Sequence, residues 1–276
     1  MIFGVLFAMA VYAIGDVQGC FLTLQRLLNE INFDERHDEL IFLGDVVNRG
    51  PNSLEVLRLI KSHSSMRMLL GNHEIFTIAL ALNAIKPHRS HTLQPLLDAP
   101  DRESLIDFLR NQPLIIERGR DLFVHAGILP SHTIEQAIKY AMAISDILQS
   151  DKAKKFLERF YEKIPHSAEK GLGPKETLRL ALAYLTLIRM CESPTTMDLS
   201  YSGTLTDAPK KLKPWFELRH DHNITVCFGH WAALGLYQKN NYICLDSGCV
   251  WGQELSAMRL SDKKIFQVAN CKQLAT

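Results

Sequence analysis

Oxygen and imidazole-nitrogen donors recur in the sequence wherever a short apolar run ends. These residues are Asp16, Gln18, Asp45, Asn72, His73, His125 and His230, and none of them is a thiol. Such a mixed donor set suits Mn²⁺, Fe²⁺ or Zn²⁺. It holds more donors than one tetrahedral structural site uses. We therefore predict two adjacent metal ions that share a carboxylate, with Asp45 as the bridge.

A strand, a tight turn and a helix are predicted at three successive places in the first part of the chain. Each predicted strand runs into a Gly-Asp or Gly-Asn pair, and Leu and Ile at helical spacing follow the pair. The predicted strands cover residues 11–14, 40–43 and 68–70. A turn alone explains any single pair, but an α/β sheet binds its ligands at the carboxyl ends of its strands. The recurrence therefore favours a shared site.

The rest of the chain is predicted to continue this α/β pattern around a helical segment. Further strands are predicted over residues 114–116, 122–124, 225–228, 242–245, 255–260 and 265–268. Apolar stripes at helical spacing fill residues 131–192, which we interpret as a helical insertion or cap. We predict a single domain over residues 9–270, interrupted by this insertion. Residues 1–8 are predicted to be an N-terminal extension, with Met9 as an alternative start.

The composition argues against nucleic-acid-binding and membrane proteins. With 31 Lys and Arg against 30 Asp and Glu, the formal net charge of +1 creates no long-range field that attracts polyanions. Residues 2–14 are uncharged, but the stretch is too short to span a bilayer and lacks the basic segment of a secretory signal. The six cysteines form no C-x-x-C pair. We predict free thiols and a cytoplasmic protein without a membrane partner.

Five motifs, in this order and spacing, resemble the calcineurin-like metallophosphoesterases. They are GDVQG at residues 15–19, GDVVNRG at 44–50, GNHE at 71–74, VHAG at 124–127 and GH at 229–230. Within that superfamily the chain is most similar to the bacterial symmetrical diadenosine tetraphosphatases, from about residue 9 to beyond residue 260. The stretches that carry this closer similarity are residues 49–58, 212–216, 228–231 and 245–252. The resemblance implies an α/β fold, a two-sheet β-sandwich flanked by helices, with a helical cap.

The resemblance also implies an activity, the hydrolysis of diadenosine tetraphosphate to two ADP. Two divalent ions would activate the attacking water, with Mn²⁺ as the expected ion and Co²⁺ or another divalent ion as alternatives. Asp16 and Gln18 would hold one ion, Asp45 would bridge, and Asn72, His125 and His230 would hold the second. His73 would act on the leaving group and Arg49 would bind phosphate oxygens. The expected partner is a small dinucleoside polyphosphate, with nucleoside-tetraphosphate-capped RNA as a further substrate; the oligomeric state stays open.

Three positions depart from the patterns of related families. Gln18 replaces the histidine of the wider superfamily, which predicts a weaker first metal site. Asn48 stands where the serine/threonine phosphatases have an aspartate beside the catalytic histidine, and an amide cannot raise a histidine pKa as a carboxylate does. Glu74 is more typical of those protein phosphatases. Asn48 thus argues against a protein phosphatase, whereas Glu74 weakly favours one. A protein phosphatase is the first alternative, and a metal-stabilised nucleotide-binding protein without turnover is the second.

Four other segments leave two interpretations open. Residues 171–177 suggest a phosphate loop, although Pro174 favours a helix start. The histidines at 220 and 222 could bind a metal or lie in a solvated turn. The lysines within 210–213 could bind polyphosphate or form a solvated surface. Three aromatic residues could stack on adenine or pack between cap and sandwich; they are Trp215, Phe216 and Trp231.

Overall fold

Two five-stranded sheets form the centre of the fold. The structure is a computed structural model that describes residues 9–87, 91–169, 171–219 and 223–271. In spatial order, the first sheet contains Ile265–Ala269 (β13), Glu254–Arg259 (β12), Val11–Ile14 (β1), Glu39–Phe42 (β2) and Met66–Met68 (β3). Strands β1, β2 and β3 run parallel, whereas β12 and β13 are antiparallel to their neighbours. The carboxyl ends of the three parallel strands therefore lie at one edge.

The second sheet repeats this arrangement. In spatial order it contains Tyr237–Lys239 (β10), Tyr242–Cys244 (β11), Thr225–Phe228 (β9), Asp121–Val124 (β5) and Ile115–Arg118 (β4). Strands β5, β9 and β11 are parallel, and the two edge strands are antiparallel to them. A small third sheet contains Thr196–Asp198 (β7), Met190–Ser193 (β6) and Lys213–Pro214 (β8).

Helices flank the sheets and form the segment between β5 and β6. The described helices are Phe21–Glu30 (α1), Ser53–Ser62 (α2), Asn72–Ala81 (α3), Gln94–Leu97 (α4), Arg102–Arg110 (α5), Ile134–Gln149 (α6), Ala153–Glu162 (α7) and Pro174–Leu187 (α8). Short 3₁₀ helices cover Trp215–Leu218 and Cys249–Trp251. Within the described ranges, every helix is too short or too polar to cross a lipid bilayer.

The alternation of side chains along each strand separates two apolar layers. On β1 and β2, Ala13 and Ile41 face the second sheet and pack with residues such as Phe123 and Ile243. The intervening residues pack on the helical side in the larger cluster. Because the parallel strands are buried on both faces, they read as continuous apolar runs in the sequence. Their polar residues are consequently confined to the strand ends.

The structure confirms the predicted two-sheet sandwich with flanking helices and corrects some of its details. Strand β3 covers Met66–Met68 and ends before residue 70: the Leu69 amide still donates to the Phe42 carbonyl of β2 at 2.9 Å, but the Leu70 amide donates to the Pro113 carbonyl at 2.9 Å. Helices α4 and α5, strand β10 and the third sheet have no counterpart among the predicted elements. The predicted helical segment also ends earlier than residue 192, because Met190 already belongs to β6.

Candidate metal centre

The carboxyl ends of strands from both sheets bring the predicted ligand residues together. Asp16 and Gln18 follow β1, Asp45 follows β2, Asn72 and His73 begin α3 after β3, and His125 and His230 follow β5 and β9. In the described part of the chain, one ligand atom each of Asp45, His125 and His230 lies within 4.8 Å of the others, and all three residues are buried. Side chains separated by up to 185 positions thus share one small volume.

Backbone carbonyls orient the two histidine rings. His125 Nδ1 lies 2.8 Å from the Leu43 carbonyl oxygen and therefore carries the proton, which leaves the Nε2 lone pair facing Asn72 and Asp45. His230 Nε2 lies 3.1 Å from the Leu187 carbonyl oxygen and donates to it, so that Nδ1 keeps its lone pair. A backbone acceptor on the outer nitrogen is the usual device that fixes the tautomer of a metal-binding histidine.

The donor set suits one or more divalent cations. Burial, together with the neighbouring Asp246 and Asp45, raises the pKa of Asp16 well above its usual value, and burial raises the pKa of Asp246 to about 7. Burial opposes ionisation of Asp45 as well, but the neighbouring His125 and His73 lower its pKa overall. Closely spaced buried carboxylates need a cation when they are ionised.

The imidazoles fit the same purpose. Burial is the main cause of the lowered pKa of His73, His125 and His230. These rings are therefore neutral at neutral pH and offer lone pairs without first losing a proton. Carboxylate oxygens, an amide oxygen and neutral imidazole are together the donors of a divalent transition-metal site.

Gln18 and Asp16 are each held by a hydrogen bond to another residue of the centre. The Gln18 Nε2 donates to Asp45 Oδ2 at 3.2 Å, so its carbonyl oxygen is the atom available to a cation. The Asp16 carboxylate accepts the backbone N–H of His230 at 3.1 Å. Glycine is required where backbone approaches these acids: a Cβ at Gly229 would lie 2.1 Å from Asp16 Oδ1, and one at Gly71 2.2 Å from Asp45 Oδ1.

Glu74 binds the loop that follows β2. Its carboxylate accepts four backbone N–H groups, those of Asp45 at 2.7 Å, Val46 at 2.9 Å, Val47 at 3.3 Å and Gly71 at 2.8 Å. Asp45 has a φ of 49°, in the left-handed region that non-glycine residues rarely adopt. We infer from these contacts that Glu74 stabilises the strained backbone that carries Asp45.

Asn48 and His73 form a second oriented pair, at the edge of the centre. The backbone N–H of Thr92 donates to Asn48 Oδ1 at 3.1 Å, which places Nδ2 toward His73 Nδ1 at 2.8 Å. His73 Nδ1 therefore accepts, and the neutral ring carries its proton on Nε2. That nitrogen lies 3.6 Å from Asp45 Oδ2 and faces the candidate centre.

Two cavities meet beside this pair. The metal-side cavity, of about 490 Å³, is bordered by residues of the centre and by Arg189, Asp246 and Trp251. The aromatic cavity, of about 310 Å³, lies between α3 and α7 and is bordered mainly by apolar side chains. Three residues line both cavities, namely Arg49, Asn72 and His73. The two cavities are therefore adjacent at His73.

All of the predicted site residues lie at this centre, and two further residues join them. Arg189, between α8 and β6, donates from Nη2 to the His230 carbonyl oxygen at 3.0 Å. No local pattern in the sequence marks Arg189. Asp246 follows the predicted strand 242–245 and accepts the Gly248 N–H at 3.1 Å. The sequence offered the same signal for Asp246 as for Asp16, an acid at the end of an apolar run.

The structure decides between most of the alternative interpretations that the sequence left open. Trp215, Phe216 and Trp231 are buried. Trp215 packs edge-on against Phe228, and Phe216 packs against the same ring at a tilt. The packing interpretation is therefore confirmed, and the prediction that these residues stack on adenine is wrong. Pro174 begins α8, as the helix-start interpretation predicts. Lys211 pairs with Glu192 at 2.9 Å on the surface. The histidines at 220 and 222 lie outside the described residues.

A family model matches most of the chain. The model of the calcineurin-like phosphoesterases matches residues 9–234. This chain belongs to the calcineurin-like phosphoesterase family. Membership of this phosphoesterase family implies divalent metal ions at the centre described above.

Two relatives of this phosphoesterase are named symmetrical bis(5'-nucleosyl)-tetraphosphatases. The protein from Methylobacillus flagellatus is 44% identical over 263 residues, which cover 94% of this chain and 95% of the relative. The protein from Nitrosospira multiformis is 42% identical over 262 residues, which cover 94% of this chain and 95% of the relative.

Solved structures support the phosphoesterase fold. The crystal structure of a proposed diadenosine tetraphosphatase has a TM-score of 0.66 and 24% identity, and the match covers 97% of this chain and 96% of that one. A serine/threonine phosphatase from Saccharomyces cerevisiae has a TM-score of 0.54 and 15% identity, with coverage of 97% and 81%. At sequence identities of 24% and 15%, these two comparisons show only that the fold is similar.

Proposed function

We propose that this chain hydrolyses diadenosine tetraphosphate symmetrically to two ADP and depends on divalent metal ions, with Mn²⁺ as the expected ion. The observation that carries the proposal is the near-full-length identity of 40–44% to relatives named for this activity. The pairing of Asn48 with His73 supports it against the protein phosphatase alternative. A nucleotide phosphate, with a second pKa of about 6, leaves without the proton that an alkoxide needs.

We propose that the strand-end residues hold two ions. Asp16 and Gln18 would bind the first, Asp45 would bridge, and Asn72, His125 and His230 would bind the second. When bound, such ions lower the pKa of a coordinated water and neutralise charge on the phosphates. The protein's own task is then to place the polyphosphate and to hold the surrounding groups in one orientation.

Arg49, Arg189 and His73 are the proposed groups that position the phosphates. Arg49 has a φ of 65° and borders both cavities, so its guanidinium fork can bind phosphate oxygens on either side of His73. Arg189 lines the metal-side cavity and faces the acidic cluster of Asp16 and Asp246. His73 carries its proton on Nε2 and can donate a hydrogen bond to the bridging oxygen that departs.

The remaining predictions follow from the same site. RNA with a nucleoside-tetraphosphate cap contains the same anhydride, and we propose it as a further substrate. The six free cysteines, five of them buried, support the proposal of a cytoplasmic protein. The single domain over residues 9–270 stays a prediction, and its helical insertion, predicted to end at residue 192, is helical only as far as Leu187.

Product analysis tests the proposed function. Metal-stripped protein is incubated with diadenosine tetraphosphate with and without Mn²⁺, and the nucleotides are separated by anion exchange. We expect ADP as the sole product, formed only with metal and lost in His73→Asn. Formation of ATP and AMP would mean asymmetrical cleavage and would overturn the proposal. Activity on phosphopeptides without dinucleotide hydrolysis would instead support the protein phosphatase.

A further inference from the structure

The two cavities differ in chemistry although they share one border. The metal-side cavity contains the charged groups, including Arg189 and Asp246. The aromatic cavity contains Phe76 from α3, Phe160 and Tyr161 from α7, and His91. A polyphosphate has no favourable contact with such rings, whereas a nucleobase stacks on them.

The aromatic cavity has the size and packing of a binding site for a single flat group. Its volume of about 310 Å³ is at the lower end of the range for small-molecule pockets. The rings of Phe160 and Tyr161 lie 5.1 Å apart at an angle of 80°, and those of Phe76 and His91 lie 6.2 Å apart at 64°. Phe160 is almost fully buried, but Phe76 and Tyr161 are only partly buried and keep surface for a ligand.

A second aromatic group lies on the metal side of His73. The Trp251 side chain is 62% exposed and borders the metal-side cavity. It ends a 3₁₀ helix that is flanked by Gly248 and Gly252 with φ values of 71° and 88°. The Arg49 guanidinium lies over the indole ring, 5.7 Å from its centroid. An exposed indole fixed beside a phosphate-binding arginine is suited to stack on a base.

We infer that the aromatic cavity and Trp251 are two unlike base subsites, one for each nucleoside of a dinucleoside polyphosphate. The inference rests on the proposed function and extends it. In a tetraphosphate bridge, two phosphates lie on each side of the central oxygen, so a substrate cut at its middle extends to both sides of the metal centre. Arg49, Asn72 and His73 join the two cavities at the place where that middle would lie.

Binding measurements on holoenzyme with Mn²⁺ test the inference. All proteins carry His73→Asn so that the dinucleotide stays intact during the titration. The test variants are Phe76→Leu, which keeps an apolar side chain but removes a stacking ring, and Trp251→Ala at an exposed position. The matched controls are Phe33→Leu, a half-buried phenyl group, and Met142→Ala, a 65% exposed side chain; neither lines a cavity described above. The dissociation constants of diadenosine tetraphosphate and inorganic tetraphosphate are compared by calorimetry.

Base stacking contributes about 1–3 kcal/mol per base, so each test variant should weaken dinucleotide binding about fivefold or more relative to inorganic tetraphosphate. In the two control variants, the ratio of the dissociation constant of diadenosine tetraphosphate to that of inorganic tetraphosphate should equal the ratio in the parent. If both test variants also kept the parental ratio, the inference of two base subsites would be wrong. Turnover is measured separately in the protein with His73 intact. An absence of ADP formation would overturn the proposed function. The ratio of dissociation constants would then still test the base subsites.

Discussion

The side-chain amide of Asn48 donates to Nδ1 of His73 at 2.8 Å, and Thr92 fixes the orientation of that amide. A carboxylate at the same position would accept from Nδ1 and would stabilise the charged imidazolium. The amide instead favours a neutral ring with its proton on Nε2. Burial acts in the same direction, because it lowers the His73 pKa. The pair is therefore better matched to a leaving group that needs no proton than to an alkoxide.

Substitution of Asn48 by aspartate should reverse this preference. In Asn48→Asp, the new negative charge raises the pKa of His73, so we expect the basic limb of the pH–rate profile to move to higher pH. The ratio of phosphomonoester to anhydride hydrolysis should also increase. Asn52→Asp, which introduces the same charge at the start of α2, is the control. An unchanged pH profile, in an enzyme that already hydrolyses phosphopeptides well, would contradict this account of Asn48.

Gln18 offers a direct test of the first metal site. Gln18→His replaces a neutral amide oxygen by an imidazole, and histidine is among the residues that tolerate a left-handed backbone such as the φ of 43° at this position. We expect Mn²⁺ to bind about tenfold more tightly, the scale on which changes around a metal alter its affinity. Calorimetric titration of metal-stripped protein measures the effect. Equal affinities in parent and variant would show that Gln18 is not a ligand.

Replacement of the Glu74 carboxyl group by an amide should loosen the loop that carries Asp45. In Glu74→Gln, the side-chain NH₂ group replaces one acceptor oxygen and leaves two buried backbone N–H groups without a partner. At about 1–3 kcal/mol for each group, the free energy of unfolding should fall by about 2 kcal/mol or more. Urea denaturation of metal-free protein measures the change.

Glu176→Gln is a matched control for this experiment. Glu176 accepts one N–H, from Gly173 at 3.0 Å, at the exposed start of α8. Its loss should lower the free energy of unfolding by about 1 kcal/mol or less. If Glu74→Gln and Glu176→Gln lowered the free energy of unfolding by the same amount, the proposed stabilisation of the Asp45 loop by Glu74 would be wrong.

Metal affinity should increase with pH near neutrality. The raised pKa values of Asp16 and Asp246 mean that the metal-free centre holds protons which a cation must displace, whereas the neutral histidines release none. Mn²⁺ binding should therefore release protons and tighten as the pH rises from 6 to 8. Calorimetry in buffers of different ionisation enthalpy counts those protons. Affinity that is independent of pH, without proton release, would contradict this electrostatic description.

The same groups predict the pH dependence of metal-free stability. Above about pH 7.5 an unfolded histidine is almost entirely neutral, whereas the buried carboxyl groups of Asp246, with a pKa of about 7, and Glu74, with a pKa of about 8, still hold more protons in the folded protein than in the unfolded one. The folded state therefore loses stability as the pH rises from about 7.5 to about 8.5. Asp246→Asn should reduce this slope in thermal denaturation curves. A variant with the slope of the parent would show that another group dominates the titration.

The centre was predictable where its chemistry is local in sequence. Asp16, Asp45 and His230 each end an apolar strand, and the geometry of a parallel sheet places such ends together. Arg189 could not be found in this way, because its position depends on how α8 docks against the second sheet. Strands β7 and β8 are short and contain no run of apolar residues, which explains why the third sheet was missed.

The distribution of the candidate ligands over two sheets has a consequence for folding. Asp16 and Asp45 belong to the first sheet, and His125 and His230 belong to the second, so neither sheet alone contains a complete site. A cation that binds all of them connects two halves of the sandwich, and its affinity adds to the cooperativity of unfolding. The centre can form only after the sheets dock, because its contacts span much of the chain. Acquisition of metal is thus expected as a late event in folding, after the hydrophobic interface has formed.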